Sequence, residues 1–300
     1  MLELVHSKPL YDWEGPLPIE SNEAYHSRIE LLSSTDIKQV SKSAAHYKAY
    51  VLDRVVRQES RALEFGDWAH KLNIEQRHDD FVMMPSFKPI TEKHILKSGP
   101  NKGQETDKVV RTVKDQVEEF EALHPNKIVL TQSEYDNLYF MHDVFNKNNH
   151  VKEITDGCLK EQGFAYWDEI HKRRCKFRAD WINPTRGLIP DYKTAQGASP
   201  YEFSKAMARY QYHISAAHYK VGAERIFARD FRFILIAQEK VRPFAIGIYE
   251  MRKSSMDRAI AQRSKYLMKI NEYTQAGSWP DYSEHGIMKI EVPEYAFGAE

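Results

Sequence analysis

Three side chains between residues 174 and 193 have types and spacing suited to chemistry on a phosphate. Asp191 and Lys193 stand two apart at the end of an apolar run, and in a strand residues i and i+2 share a face. Asp180 sits near the end of the preceding run. Between the runs, Asn183-Pro184-Thr185-Arg186-Gly187 reads as the turn of a β-hairpin. Pairing of strands at 174–182 and 187–193 would bring Asp180 beside Asp191 and Lys193. Two carboxylates packed closely repel unless a cation lies between them. Hard oxygen ligands with open water positions suit Mg²⁺ or Mn²⁺ rather than zinc. A lysine beside such an ion can orient or deprotonate a water, or stabilise charge on a phosphate. Together these are the parts for metal-assisted phosphodiester hydrolysis. The plainer alternative is a surface hairpin carrying a salt bridge.

Several elements must position these groups. A first core strand is expected at 163–167, just after Glu161. Strands at 231–237 and 244–249 extend the sheet, and a last helix covers 253–275. Pro200 opens a helix to about Val221, with Phe203, Met207, Tyr210, Ile214 and Ala217 turned inward. Gln211, Ser215 and Tyr219 fall at i, i+4 and i+8 on an adjacent face, toward a substrate phosphate or the lysine; an ordinary helix surface reads the same way. Upstream, Ser33-Ser34-Thr35-Asp36 caps a helix running to about Arg57, with Ile37, Val40, Ala44, Tyr47 and Val51 as its apolar stripe. Lys38, Lys42 and Lys48 lie on its polar side, a solvated face or a DNA-backbone face. Residues 63–72 read as a second helix with Gly66 and His70 on one face. The stretch 85–106 is rich in Pro, Lys, Gly and polar residues, Ser98-Gly-Pro-Asn-Lys-Gly103 within it reads as a flexible loop, and helices follow at 106–123 and 132–147. The fold class is α/β, a central mixed sheet flanked by helices. Its parts are an N-terminal arm at 1–30, a catalytic domain at 31–276 and a C-terminal tail at 277–300.

Asp180…Asp191-Tyr192-Lys193 resembles the PD-(D/E)xK nuclease signature, and the implied core is the restriction-endonuclease-like one. The segments around it, Lys176-Phe-Arg-Ala-Asp180 and Ile189-Pro-Asp-Tyr-Lys-Thr194, resemble the RecE-type exonuclease branch (exodeoxyribonuclease VIII). Leu63-Glu-Phe-Gly-Asp-Trp-Ala-His70, Tyr210-Gln-Tyr-His-Ile-Ser-Ala-Ala-His-Tyr219 and residues 233–244 follow that branch in the same order. Two positions depart from it: Ala179 stands where the signature has Pro, and Ser215 where the branch often has Gln. Gln211, one turn earlier, is the other candidate for that glutamine. The resemblance implies an Mg²⁺-dependent exonuclease, with Mn²⁺ as a substitute. Asp180 and Asp191 would bind the metal, His70 and Glu161 would add ligands, and Lys193 would position the attacking water. It also implies digestion of linear double-stranded DNA from 5′ ends to leave 3′ single strands for recombination. A ring of identical subunits and a single-strand annealing protein, as in phages, are the implied partners. An endonuclease or a single-strand-specific repair nuclease on the same fold, or a non-catalytic DNA-binding module, are the alternatives.

Composition narrows the setting. Forty-three basic and 43 acidic residues cancel, so DNA contact must come from local asymmetry. Residues 170–193 supply it, with seven Lys/Arg against two Asp. Lys176 and Arg178 from this strip, with Gln211 and Tyr219 from the helix, are the candidate DNA contacts. Two cysteines exclude a disulfide framework and a four-cysteine iron–sulfur cluster. No run of eighteen apolar residues and no signal-peptide pattern occurs, so a cytoplasmic protein without membrane contact is expected. There is no P-loop, hence no motor in this chain.

Overall fold

The computed structural model describes residues 11–18, 21–56, 61–284, 286–293 and 296. The chain divides into two compact units, one of Met1–Glu59, His150–Glu239 and Ile246–Glu300, the other of Ser60–Asn149 and Lys240–Ala245. In chain order, β1 (Gly15–Pro16), α1 (Asn22–Ser27), α2 (Ser34–Val40) and α3 (Ala44–Tyr47) belong to the first unit. The second unit holds α4 (Arg61–His70), β2 (Phe81–Met83), β3 (Ile90–Ile95), β4 (Glu105–Arg111), α5 (Val113–Leu123), β5 (Ile128–Leu130) and α6 (Gln132–Lys147). The chain continues with α7 (Asn149–Thr155), and the first unit resumes with β6 (Leu159–Asp168), β7 (Arg173–Ile182) and β8 (Leu188–Ala195). It closes with α8 (Pro200–Arg209), α9 (Tyr212–Phe227), β9 (Arg232–Glu239), β10 (Ile246–Glu250) and α10 (Lys253–Ala276).

The expected α/β class and mixed pairing hold in the first unit. β6 and β7 pair antiparallel, β8 and β9 pair parallel, and β9 and β10 pair antiparallel. The expected hairpin does not zip up. Only Asn183 and Leu188 bridge it, and beyond them β7 and β8 go to different three-stranded sheets, β1-β6-β7 and β10-β9-β8. The strands are nearly all-apolar in burial because α9 covers them: Ile214, Ala216, Ala217, Ala223 and Ile226 join Phe164, Phe177, Ile189 and Leu235 in one core. A Cβ added at Gly222 would meet Tyr166 at 2.6 Å and Phe177 at 2.7 Å, so only glycine lets α9 lie this close to β6 and β7.

A polar network is buried inside this apolar body. Arg263 of α10 donates through Nε to His218 Nδ1 at 3.1 Å and through Nη2 to the Tyr166 hydroxyl at 2.9 Å. The same nitrogen meets Asp168 Oδ2 at 2.7 Å, and His218 Nε2 donates to the Lys176 carbonyl at 2.9 Å. Burial, then the neighbouring Arg263, pushes His218 down to about 3, so the ring is neutral and can accept from the guanidinium. Burial opposes charge on Asp168, but hydrogen bonds from His171 and the charge of Arg263 outweigh it and hold the carboxyl well below its usual range. Buried charges survive when each is paired in this way.

Three helical expectations change. The helix expected from Ser33 is interrupted after Val40 and resumes at Ala44. Its expected end, Arg57, lies outside the described residues. The stretch expected as a helix from 106 begins as strand β4, paired with β3, and the helix starts only at Val113. Val109 and Val110 are β-branched and favour the strand, while Thr112 and Asp115 form the capping box that starts the helix. The expected loop at 98–103 falls at the tip of the β3–β4 hairpin. The helix expected from Pro200 to Val221 breaks at Gln211, which takes a left-handed conformation, φ 52° and ψ 43°. Tyr210, expected inside, is 52% exposed.

Candidate active site

The site sits where β7 and β8 part. β8 pairs only with β9 along this stretch, and the β7 side of its backbone is open to side chains. Asp180 fills the gap: its Oδ2 accepts the Tyr192 backbone N–H at 2.7 Å. The carboxylate therefore does what a neighbouring strand's carbonyl would otherwise do, which fixes it beside Asp191 without a ladder. Asp191 is 3% exposed, and its Oδ2 lies 2.6 Å from Lys193 Nζ. The lysine also donates to the Tyr192 carbonyl at 3.0 Å. The i, i+2 spacing thus places both charges on the same side of β8, as strand geometry requires.

The charges do not balance. Burial pushes the Asp191 carboxyl up to about 6; Lys193 pulls it back and Asp180 pushes it further up. Burial works against the Lys193 ammonium, yet Asp191 and Asp180 outweigh it and hold its pKa above the usual lysine range. Asp191 grips its proton chiefly because it is buried, with Asp180 adding to this and Lys193 and Lys38 opposing it, whereas Lys193 grips its own because two carboxylates face it. Paired hard oxygen donors fit a divalent cation such as Mg²⁺ or Mn²⁺. The same imbalance costs stability when no metal is bound. Since the folded-state pKa of Asp191 lies above 3.8, its contribution is present at low pH and lost as pH rises through 6. Asp191→Asn is therefore expected to stabilise the metal-free protein at pH 8 by about 1–3 kcal/mol, and to give no gain near pH 4. Thermal melts in EDTA at both pH values test this; a less stable variant at pH 8 would refute the imbalance.

The other expected residues are placed as follows. Glu161 falls opposite Asp180 in the β6–β7 register, between the pairs Lys160–Trp181 and Gln162–Ala179. Its backbone is left-handed, φ 48°, and its Oε2 is 3.3 Å from Arg178 Nε. Arg178 also reaches Asn22 and lies over the Tyr25 ring, 4.8 Å from its centroid. Lys176 is 2% exposed, and its ammonium donates to the Tyr25 carbonyl at 2.5 Å and the Arg28 carbonyl at 2.9 Å. That ammonium ties down the segment around α1 and is not presented to a phosphate. Tyr219 packs its ring on Phe177 and Phe233, with centroids 5.3 and 5.8 Å away. Burial first, then Tyr25, Asp191 and Asp180, hold its hydroxyl well above the usual phenol range. Ser215 Oγ is 3.2 Å from Ser34 Oγ, while Gln211 Nε2 donates to Ser41 Oγ at 2.7 Å. His70 belongs to the second unit, where its Nδ1 is 3.5 Å from Glu75 Oε1.

One cation acquires a new significance. Lys38 of α2 is half-buried, and burial, then the charge of Lys193, pushes it down to about 8. Asp191 partly offsets this. The sequence places Lys38 on a helix surface; only the packing of α2 against α9 puts it near a residue 155 positions away. A cavity of about 680 Å³ between α8, β10 and α10, lined by Phe203, Met207, Tyr249 and Arg258 among others, contains none of the expected site residues. Among the described residues, no helix is long and apolar enough to cross a membrane.

Comparison with known proteins gives the family and the fold. The crystal structure of a "Putative exonuclease" from Eubacterium rectale superposes with a TM-score of 0.61, covering 93% of this chain and 98% of that one, at 12% identity. That likeness is one of fold. A second solved structure, SSO0001, reaches a TM-score of 0.28 at 14% identity, covering 53% of this chain and 69% of that one, too slight to argue from. No curated protein matches. The family described as "PDDEXK-like domain of unknown function (DUF3799)" matches residues 33–289, a span that contains every residue of the acidic seam, and the chain belongs to that family.

Proposed function

We propose that the chain is a metal-dependent deoxyribonuclease, an exonuclease that hydrolyses linear duplex DNA from 5′ ends. The observation that carries the nuclease reading is the buried Asp180–Asp191 pair with Lys193 at the parting of β7 and β8. Asp180 and Asp191 would hold Mg²⁺, with Mn²⁺ as a substitute. When bound, the ion polarises the phosphate and lowers the pKa of a water. Asp180 is held by the Tyr192 amide, so its carboxylate stays aimed into the seam. Lys193 keeps its proton and acts as an ammonium, orienting a water or offsetting charge that develops on the phosphate. Family membership and the fold support this reading. Direction, a ring assembly, a role in recombination and an annealing partner are supported by the RecE-type motifs of the sequence.

The test is a timed digest in Mg²⁺ of linear duplex labelled at the 5′ or the 3′ end, with closed circles as control. Early release of the 5′ label and intact circles are expected. Early release of the 3′ label would reverse the direction, rapid nicking of circles would make the chain an endonuclease, and no release under Mg²⁺ or Mn²⁺ would refute the nuclease itself.

A further inference from the structure

Two aromatic rings lead away from the acidic seam. Tyr212, the first residue of α9, has Lys193 Nζ 5.8 Å and Lys38 Nζ 5.9 Å from its ring centroid. Tyr210, just after α8, stacks on Tyr212 with centroids 5.6 Å apart and planes inclined by 27°. The Arg209 guanidinium lies 5.6 Å from the Tyr210 ring. In a continuous helix, residues i and i+2 do not face each other. The two rings meet only because Gln211 between them is left-handed, a conformation that a non-glycine residue adopts at a cost. The Gln211 amide, donating to Ser41 Oγ at 2.7 Å, and the Tyr212 ring, leaning on Phe203 of the core, help hold this conformation. The Tyr210 ring on the other side is left to solvent, 52% exposed.

Alternating aromatic faces and cations are how proteins hold an unpaired nucleic-acid strand: bases stack on the rings, and cations follow the phosphates. We infer that Arg209, Tyr210, Tyr212 and Lys38 form a strip that binds a single DNA strand and leads its backbone to Lys193. The inference rests on the nuclease reading and gives it a substrate form, a locally unpaired strand. Lys38 and Lys193 lie 5.9 and 5.8 Å from the Tyr212 ring centroid, so a phosphate beside that ring would meet both cations. Lys38 acts here as a positioning residue and not as a participant in bond breaking. Tyr210 offers its exposed face to the base.

The experiment measures binding without cleavage. The full chain in EDTA is titrated against a fluorescein-labelled oligothymidylate of about 20 nucleotides, longer than the roughly 4–16 nucleotides typical of such sites. Tyr210→Ala is expected to weaken binding about tenfold, the effect of one lost stack, while Tyr210→Trp retains it. Lys38→Gln is expected to weaken binding and to reduce the slope of log affinity against log salt by about 0.7, one phosphate contact on a single strand. A duplex with hairpin-closed ends should respond to Tyr210→Ala by less than twofold. The inference is overturned if the unmodified chain does not bind the oligonucleotide, if Tyr210→Ala binds within twofold of it, or if the closed duplex loses as much. Binding through Tyr210 in a chain that cleaves nothing would keep the strip and sink the nuclease reading. Cleavage with Tyr210→Ala binding unchanged would do the reverse.

Discussion

Asp191→Ala should leave a folded protein with no measurable cleavage. Removing this carboxylate takes away half of the acidic pair and with it several kcal/mol of transition-state stabilisation from a bound ion. At about 1.36 kcal/mol per tenfold, the rate should fall by about 10³ or more. Asp180→Ala should match it, with one difference. Asp180 also accepts the Tyr192 amide, so its loss leaves a buried N–H without its partner and costs on the order of 1–3 kcal/mol of stability. Asp191→Ala strips no backbone group of its partner; it removes a carboxylate whose burial opposes its charge and takes from Lys193 an acceptor at 2.6 Å. Cleavage rates and melting temperatures of the two variants together check the assignment. Full activity in Asp191→Ala would remove the site from β8 altogether.

Lys193→Ala has the second largest expected effect, and a different signature. The ammonium is 2.6 Å from Asp191 and is held protonated by the pair. Its part is electrostatic, so its removal should lower kcat by about 10²–10³, the range for one lost charge-stabilising donor. Divalent-metal affinity should be kept or rise, since the competing positive charge is gone. Isothermal titration with Mn²⁺ separates the roles. Weaker metal binding with unchanged kcat would mean that Lys193 only braces Asp191.

Much of the site could be read from the chain because Asp180, Asp191 and Lys193 lie on consecutive strands whose apolar runs and turn residues are local signals. The cap at Ser33/Asp36 was equally legible, since it is closed within four residues. Features set by distant partners were not. Nothing local says that β7 and β8 separate after one bridge, because each half finds its neighbours elsewhere, β7 with β6 and β8 with β9. The break at Gln211 lacks Gly or Pro, and the apolar period runs straight through it, which is why Tyr210 reads as core. Lys176 looks like a surface cation in a basic strip, yet two backbone carbonyls from a segment about 150 residues away draw it inside. The division into two units, with Lys240–Ala245 joining the one that precedes it by a hundred residues, leaves no composition boundary to find.

The buried Arg263–His218–Tyr166–Asp168 network bears on how such a chain can drift over generations. What holds α9 and α10 to the sheet lies in that network and the apolar core around it, whereas the charge of Asp191 in the seam is opposed by its burial. Selection for stability and selection for chemistry therefore act on different residues. On the proposed reading, a lineage that loses Asp191 in one step would keep its scaffold and give up its chemistry. The reverse step would be as short, with the buried network untouched by either.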